Sequence, residues 1–341
     1  MGMQHERFMR LALEEARRAF NATSPNPRVG ALVVRGGRVL AAGYHRRAGL
    51  PHAEVEALRA LPEPGKARGA TLYVTLEPCS THGRTPPCVE AILAAGLRRV
   101  VVGAVDPNPA HAGRGLKLLR AAGVEVVSGV LAGECSALNP GFNQWVVHGR
   151  PWVIAKAGMS LDGRLTRPPG EGRWITSAES RADAMGLRAR VDAVLIGANT
   201  LRHDNPKLTI RGIRGPVQPW RVVLAGEGRI PRGGHLFTDA HRERTLVYRR
   251  QTVGAVLGEL GQRGVTSVLI EGGSRVLGAA LDARLVDEVR LYLAPMLCGG
   301  AEPAFGGLGV GASAQAARVL DPVYTRIGDD LCCSGLLKYP A

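Results

Sequence analysis

Three side chains able to hold a metal ion, and one able to move a proton, stand in two short stretches of this 341-residue chain. The first is His52-Ala53-Glu54. The second holds Cys79 and Cys88, each preceded by proline and separated by eight residues. Zinc takes about four tetrahedral ligands from imidazole nitrogen and thiolate sulfur, and a catalytic site leaves one position to water. One histidine and two cysteines supply three ligands and that opening. Zinc lowers the pKa of bound water from about 15.7 to about 7. A carboxylate such as Glu54 beside it can take that proton and return it to a leaving amine. Hydrolytic deamination of an amidine-like ring carbon needs those parts. Taken singly, His52 reads as a helix cap, and the two cysteines as small buried residues or a disulfide. Taken together they point to a metal.

The elements around these residues must bring them to one place. Residues 5–20 set Phe8, Leu11, Ala12, Ala16 and Phe20 on one helical face. Strands at 29–34 and 39–44 flank Arg35-Gly36-Gly37-Arg38, a hairpin turn. His52 opens a helix over 53–61, and Cys88, after Pro86-Pro87, opens another over 88–95, where the positive helix end favours a thiolate at Cys88. Strands at 71–76, 99–104 and 124–127, with helices at 115–122 and 133–148, predict an α/β layer fold. Gly149-Arg150-Pro151 breaks the pattern, which predicts domains at 1–148 and 151–341, as the length also suggests. The second part alternates as well, with strands at 152–156, 193–196, 221–225, 245–248, 267–270 and 288–293 and helices at 177–190 and 274–285. Residues 212–219 and 299–311 are loop-like.

Composition removes several function classes. No apolar run approaches the roughly 18 residues of a membrane helix, and the N-terminus lacks a signal-peptide core, so a soluble cytoplasmic protein is expected. The net charge is +15, yet only five of the 44 basic residues are lysine (Lys66, Lys117, Lys156, Lys207 and Lys338). The arginines are scattered, aromatics make up only 4%, and no basic aromatic strip marks a nucleic-acid groove. A bias toward arginine explains the charge, and so do phosphorylated small ligands, which arginine grips with paired hydrogen bonds. Six cysteines are too few for a disulfide scaffold at this length, and close spacing suggests metal first.

In the second part, Val268-Leu269-Ile270-Glu271-Gly272-Gly273-Ser274-Arg275 runs from a strand through glycines into a helix. Such a turn lets backbone N–H groups approach a phosphate, although it is also an ordinary connection. It is not the Gly-x-Gly-x-x-Gly fingerprint of a standard dinucleotide domain.

His-Ala-Glu followed by Pro-Cys resembles the zinc-deaminase signature, in which two residues usually separate the cysteines. The longer stretch Thr75-Leu76-Glu77-Pro78-Cys79 through Pro86-Pro87-Cys88 resembles the bifunctional deaminase–reductases of riboflavin biosynthesis, the RibD family. Pro25-Asn26-Pro27-Arg28-Val29-Gly30, Gly43-Tyr44-His45 and Asp106-Pro107-Asn108-Pro109 extend the likeness. Lys156-Ala157-Gly158, Trp174-Ile175-Thr176, Asp204-Asn205-Pro206-Lys207-Leu208-Thr209 and Glu271-Gly272-Gly273 carry it across the second part. The resemblance implies a cytidine-deaminase-like three-layer α/β domain followed by a dihydrofolate-reductase-like α/β domain, one zinc ion per chain and NADPH.

It also implies roles. His52, Cys79 and Cys88 bind zinc, and Glu54 shuttles the proton. Asn26, His45, Asp106 and Asn108 line the pyrimidine pocket, although Asn26 and Asn108 stand beside prolines, where turn-forming is their ordinary task. His82 stays a loop residue, since a fourth protein ligand would close the site. Gly158, Trp174, Thr200 and the turn Gly273, Ser274, Arg275, Val276, Leu277, Gly278 and Ala279 hold NADPH. Gly172, Arg188, Asp204, Leu208, Arg211 and Glu271 meet the substrate, with Arg188 and Arg211 suited to its phosphate. Lys156, Asp204 and Glu271 assist hydride transfer, by orientation or by proton transfer. Gly172 stands where the family often has serine, and Ala225-Gly226 where it often has Asp-Ser, so a hydroxyl and a carboxylate are missing.

The expected activity is zinc-dependent deamination of 2,5-diamino-6-(5-phosphoribosylamino)pyrimidin-4-one, then NADPH-dependent reduction of the ribosyl to a ribityl group. The partner is a phosphorylated pyrimidine, and a homo-oligomer is expected. Two rivals remain: a nucleic-acid or nucleoside deaminase with an accessory second domain, and a non-catalytic zinc-stapled module, which would need a fourth protein ligand.

Overall fold

A computed structural model describes residues 2–83, 85–167, 171, 174–300 and 303–340. It separates into two compact units, Met1–Gly149 and Arg150–Ala341.

The first unit runs α1 (Gly2–Arg17), β1 (Gly30–Arg35), β2 (Arg38–Tyr44), α2 (Ala53–Arg59), β3 (Thr71–Leu76), α3 (Cys88–Ala94), β4 (Arg99–Ala104), α4 (Arg114–Ala121), β5 (Glu125–Ser128), α5 (Ala132–Ala137) and α6 (Pro140–His148). The sheet order is β2-β1-β3-β4-β5. Strand β1 is antiparallel to both β2 and β3, while β3, β4 and β5 are parallel, so β2 points the same way as β3. The carboxyl ends of β2, β3 and β4 and the amino end of β1 therefore share one edge. The segments leaving that edge carry His45, Cys79 and Asp106, and the segment entering β1 carries Asn26.

Helices cover both faces. Gly30 and Ala31 are successive strand residues and face opposite ways. A Cβ at Gly30 would lie 2.1 Å from Ala12 O of α1, whereas one at Gly43, the partner of Ala31, would lie 2.3 Å from Ala57 N of α2. The core between the layers holds Phe8, Leu13, Val33, Leu72 and Val101, all nearly solvent-free. The single helix expected over 133–148 is two, α5 and α6. Pro140 sits in the first turn of α6, where its missing N–H is harmless, but it cannot continue α5.

The second unit runs β6 (Trp152–Ser160), α7 (Ala178–Arg188), β7 (Ala193–Gly197), α8 (Ala198–Asp204), β8 (Trp220–Gly226), α9 (His235–Thr238), β9 (Thr245–Arg249), α10 (Val253–Gln262), β10 (Ser267–Gly272), α11 (Ser274–Asp282), β11 (Glu288–Ala294), β12 (Arg318–Ile327) and β13 (Asp330–Lys338). The sheet order is β12-β13-β11-β6-β10-β7-β8-β9. The six strands from β11 to β9 are parallel, and β13 and β12 add an antiparallel edge. Central strands such as β7 are buried throughout, as expected where both faces are covered. The carboxyl ends of β6, β10, β7, β8 and β9 form one edge, which carries Gly158, Glu271, Thr200 and Gly226. Ligands of parallel α/β sheets bind at such edges. Helices α8 and α10 and strands β12 and β13 add to the elements expected from sequence.

Candidate functional site

The metal candidates converge. His52 is the residue before α2, and Cys88 is the first residue of α3. His52 Nδ1 lies 3.2 Å from Cys88 Sγ and 3.5 Å from Cys79 Sγ. All three donor atoms fall within 4.8 Å of one another. With Zn–S near 2.3 Å and Zn–N near 2.0 Å, tetrahedral geometry sets a sulfur–nitrogen distance of roughly 3.5 Å. The donor set fits zinc. His82 is outside this cluster among the described residues. The six cysteines are free thiols.

Electrostatics at the trio differ from expectation in one respect. The positive end of α3 serves the other sulfur: Cys88 N–H donates to Cys79 Sγ at 3.3 Å. Hydrogen bonds from Cys88 and His52 hold the Cys79 thiol well below its usual range against the cost of burial. A side-chain hydrogen bond between the two sulfurs, together with burial, pushes the Cys88 thiol up. His52 is raised by its bond to Cys79, which outweighs burial. Its Nε2 faces Thr85 Oγ1 at 3.5 Å, a contact that orients the ring.

Glu54 lies in the first turn of α2, only 3% exposed. Burial pushes its carboxyl up to about 7, opposed by His52, and it reaches the Cys88 thiol. A carboxyl poised there takes or gives a proton near neutral pH.

The pyrimidine-pocket candidates divide into two pairs. His45 is buried and stacks edge-on against His52, with ring centroids 5.2 Å apart. Its Nδ1–H donates to Pro51 O at 3.1 Å and its Nε2 accepts from Asn26 Nδ2 at 3.3 Å, while burial pushes its pKa down. It is a neutral ring held between the metal histidine and Asn26. Asp106 Oδ1 accepts from Asn108 N at 2.9 Å, and Asn108 Oδ1 from Ala110 N at 3.0 Å, so both side chains also brace their own turn. Burial raises the Asp106 carboxyl.

Glu77, two residues before Cys79, was not singled out from sequence. Its Oε2 accepts from Asp106 N at 3.2 Å and Gly113 N at 2.9 Å, and its Oε1 from Gly115 N at 2.9 Å. This buried carboxylate ties the loop carrying Asp106 to the strand end carrying Cys79. Only its presence within the Thr-Leu-Glu-Pro-Cys stretch hinted at a task.

In the second unit, Gly272 and Gly273 close β10 at φ values of 147° and 82°. A Cβ at Gly273 would lie 3.3 Å from Thr200 Oγ1, so the absent side chain leaves a notch between the turn and α8. Ser274, Arg275 and Ala279 line a cleft of about 430 Å³ beside the 306–308 loop. Val276 and Leu277 are buried in the core, and Gly278 packs against the backbone of Gly306. Those three side-chain positions serve packing rather than the cleft. Gly158 lies on β6, where a Cβ would meet Thr176 Cγ2 at 3.1 Å and Lys156 Nζ at 3.7 Å. Trp174 is half exposed, with the Arg181 guanidinium 5.0 Å from its ring centroid.

Arg188 and Glu271 form a nearly buried two-bond ion pair. Arg188 Nε–H donates to Glu271 Oε1 and Nη2–H to Oε2, the second at 2.7 Å, while Nη1 reaches Thr209 O at 3.1 Å. Burial opposes ionisation of Glu271, but Arg188 overrides it and Lys156 adds to the effect, so the carboxyl stays below its usual range. Burial lowers Lys156, and Glu271 partly restores it. Arg211 is more open and makes weak bonds to Thr209 near 3.4 Å. The Leu208 side chain is core, and its φ of 52° puts its backbone in the left-handed region. Asp204 ends α8, partly exposed. Gly172 lies outside the described residues.

Comparison with known proteins follows the same division. Residues 3–104 match the cytidine and deoxycytidylate deaminase zinc-binding region, and residues 151–332 match the RibD C-terminal domain. The riboflavin biosynthesis protein RibD of Escherichia coli K12 is 39% identical, over 97% of this chain and 98% of its own. That of Synechocystis is 40% identical, over 96% and 95%. Acinetobacter baumannii RibD superposes with a TM-score of 0.90 at 34% identity, covering 99% of this chain and all of that one. A diaminohydroxyphosphoribosylaminopyrimidine deaminase/5-amino-6-(5-phosphoribosylamino)uracil reductase of Thermotoga maritima gives 0.88 at 33%, covering 99% of each. With a zinc-deaminase region in its first unit, the reductase region in its second and relatives alike from end to end, the chain belongs to the RibD family of bifunctional riboflavin-biosynthesis enzymes.

Proposed function

We propose that the two units act in succession on one phosphorylated pyrimidine. The first hydrolyses the amine of 2,5-diamino-6-(5-phosphoribosylamino)pyrimidin-4-one, releasing ammonia. The second reduces the ribosyl group of the resulting uracil to ribityl, giving 5-amino-6-(5-phosphoribitylamino)uracil. The observation that carries this reading is the convergence of His52 Nδ1, Cys79 Sγ and Cys88 Sγ beside a buried carboxyl, Glu54.

His52, Cys79 and Cys88 would hold the zinc ion, which supplies the Lewis acidity that lets water attack at neutral pH. Glu54 takes a proton from that water and returns it to the departing amine, a task suited to a carboxyl near 7. Asn26, held by the neutral His45, offers hydrogen bonds for ring heteroatoms beside the metal residues, and Asp106 and Asn108 complete the pocket.

In the second unit NADPH supplies a hydride, and the chain positions it. The Gly272-Gly273 notch beside Thr200 admits its phosphates, with Ser274 opening α11, and the exposed Trp174 ring offers a stacking face. Arg211 is the open cation for the substrate phosphate. Arg188 holds Glu271 in place, and Lys156, its pKa lowered by burial, sets its Nζ 3.7 Å from where a Cβ at Gly158 would be.

No described helix is long and apolar enough to cross a membrane. We take the chain to work in the cytoplasm, with no nucleic-acid partner. We also take it to be a homo-oligomer, a reading supported by exposed Leu320, Val323 and Tyr324 on the edge strand β12. Light scattering tests the last point. The decisive test is a coupled assay: given the diaminopyrimidine phosphate, ammonia should appear and NADPH absorbance fall in equal molar amounts. Ammonia release without NADPH consumption would leave a deaminase alone.

A further inference from the structure

The segment that brings Asn26 to the metal residues has little regular structure to hold it. Residues 24–29 belong to no helix or strand, and Pro25 and Pro27 offer no N–H. The segment is anchored where β1 begins: Val29 O accepts from His45 N at 2.9 Å, and Gly30 N donates to Thr75 Oγ1 at 3.2 Å. Between that anchor and Asn26 the fixed point is Arg28. Its backbone N–H donates to Asn139 Oδ1 at 2.8 Å, and its backbone carbonyl accepts from Asn139 Nδ2 at 2.8 Å. One side-chain amide closes a ring of two hydrogen bonds on a single residue, as a neighbouring strand would. The Arg28 guanidinium returns the contact by donating to Leu138 O.

The local position of Asn139 does not account for this. It stands between α5 and α6, at the residue before α6, where asparagine ordinarily accepts a hydrogen bond from the first turn of its own helix. Its side chain makes no such bond. Pro140 keeps it out of helical backbone, at φ −126° and ψ 48°, and the side chain goes instead to a residue 111 positions earlier. Asn139 is only 7% exposed, so its carbonyl and its amide both need partners, and Arg28 supplies both.

From Asn139 the contacts lead to the candidate metal residues. Two residues before Arg28, Asn26 donates from Nδ2 to His45 Nε2 at 3.3 Å, and the His45 ring lies against His52. Without the amide, the Arg28 N–H and C=O lose their shared partner and the segment carrying Asn26 is free to shift, and small misplacements of a recognition group are costly. We infer that Asn139 is a positioning residue of the first unit: its pairing with the Arg28 backbone fixes where Asn26 meets the pyrimidine, and so sets affinity for the ring rather than the rate of proton transfer. This rests on the proposed deamination and on the place of Asn26 in its pocket, and adds a residue that acts only through the backbone of another. Glu77 braces the segment carrying Asp106 in the same manner, through backbone N–H groups.

Steady-state ammonia release by the full chain, with the diaminopyrimidine phosphate as substrate, tests it. The proteins compared are wild type, Asn26→Ala, Asn139→Ala, Asn139→Asp and the double variant Asn26→Ala/Asn139→Ala. Asn139→Ala should raise KM about 10-fold, the scale of a lost hydrogen bond or two, while kcat stays within about threefold. Zinc content, and NADPH consumption with the deaminated compound, should not change. A merely structural loss lowers the active fraction, and hence kcat, without moving KM. Asn139→Asp suits the start of a helix as well as asparagine does, but it sets a carboxylate oxygen against Arg28 O. It should therefore raise KM at least as much as Asn139→Ala. Because Asn139 acts through Asn26, the double variant should lie within about twofold of Asn26→Ala in KM, whereas independent effects multiply. A wild-type KM in Asn139→Asp, a fall in kcat alone in Asn139→Ala, or multiplied effects in the double variant overturns the positioning role and leaves the deaminase reading intact. An unchanged KM in Asn26→Ala removes Asn26 from the pocket and the positioning role with it. A wild-type chain that releases no ammonia overturns both.

Discussion

Glu54 and Cys88 belong to one candidate site yet make opposite predictions. Glu54→Gln keeps the volume and the helix turn but cannot accept a proton. Ammonia release should fall by at least about 100-fold, the scale of general acid–base catalysis, with metal content by atomic absorption unchanged. Cys88→Ala removes a donor from a three-residue set, so zinc content itself should fall. A variant with full zinc would remove Cys88 from the ligand set. In the second unit, Arg188→Ala leaves Glu271 buried with Lys156 and, more weakly, Arg211 to offset it. In wild type the Glu271 carboxyl is lowered, so its contribution to stability is complete at neutral pH and lost only as pH falls through that lowered value. Without Arg188 its pKa rises and the sign reverses, and ionisation then costs stability as pH increases. Denaturant melts should show a loss of about 3–5 kcal/mol at pH 7 and a smaller loss at pH 5. Equal losses at both pH values would contradict that account. His52, Cys79 and Cys88 stand out in the chain because their types are unusual together, and the structure brings their donor atoms within 4.8 Å of one another. Glu77 could not, because its partners are backbone amides 29 to 38 residues further on and carry no residue signature.

At the level of elements, close approach decides where the chemistry sits. Helix α2 lies against Gly43 of β2, with Ala57 N at 2.3 Å from where a Cβ would be. Gly43→Ala must push α2 outward, and α2 carries Glu54 in its first turn and His52 just before it. The expected result is a stability loss of at least about 2 kcal/mol together with weaker zinc retention under chelator challenge, although Gly43 touches neither. Strands with uninterrupted or alternating apolar residues, such as β3 and β4, were legible to within a residue because burial imposes the pattern. Strands β12 and β13 were not. Most β12 residues face solvent, Pro322 interrupts it, and its pairing shifts between Leu320 and Val323, as an edge strand tolerates. Helix α8 follows β7 without an intervening turn, and α10 contains three glycines, so neither announces itself.

At the scale of the molecule, each unit encloses apolar cores of its own among the described residues. Expressed separately, residues 1–149 should bind zinc and release ammonia, and residues 150–341 should consume NADPH when given the deaminated compound. Fragment assays with matched substrates check this, and an aggregated first fragment would show that its fold depends on the second. Gly149-Arg150-Pro151 interrupts two runs of alternating strands and helices in the sequence, and the two compact units are Met1–Gly149 and Arg150–Ala341.

In both units most of the candidate groups stand on segments along one rim of a sheet, while most of the pairing that holds the sheet lies behind them. The rim segments carry few of the contacts that keep the strands in register. A descendant of this chain could therefore trade its base or its cofactor by changing those segments alone, inheriting the scaffold intact.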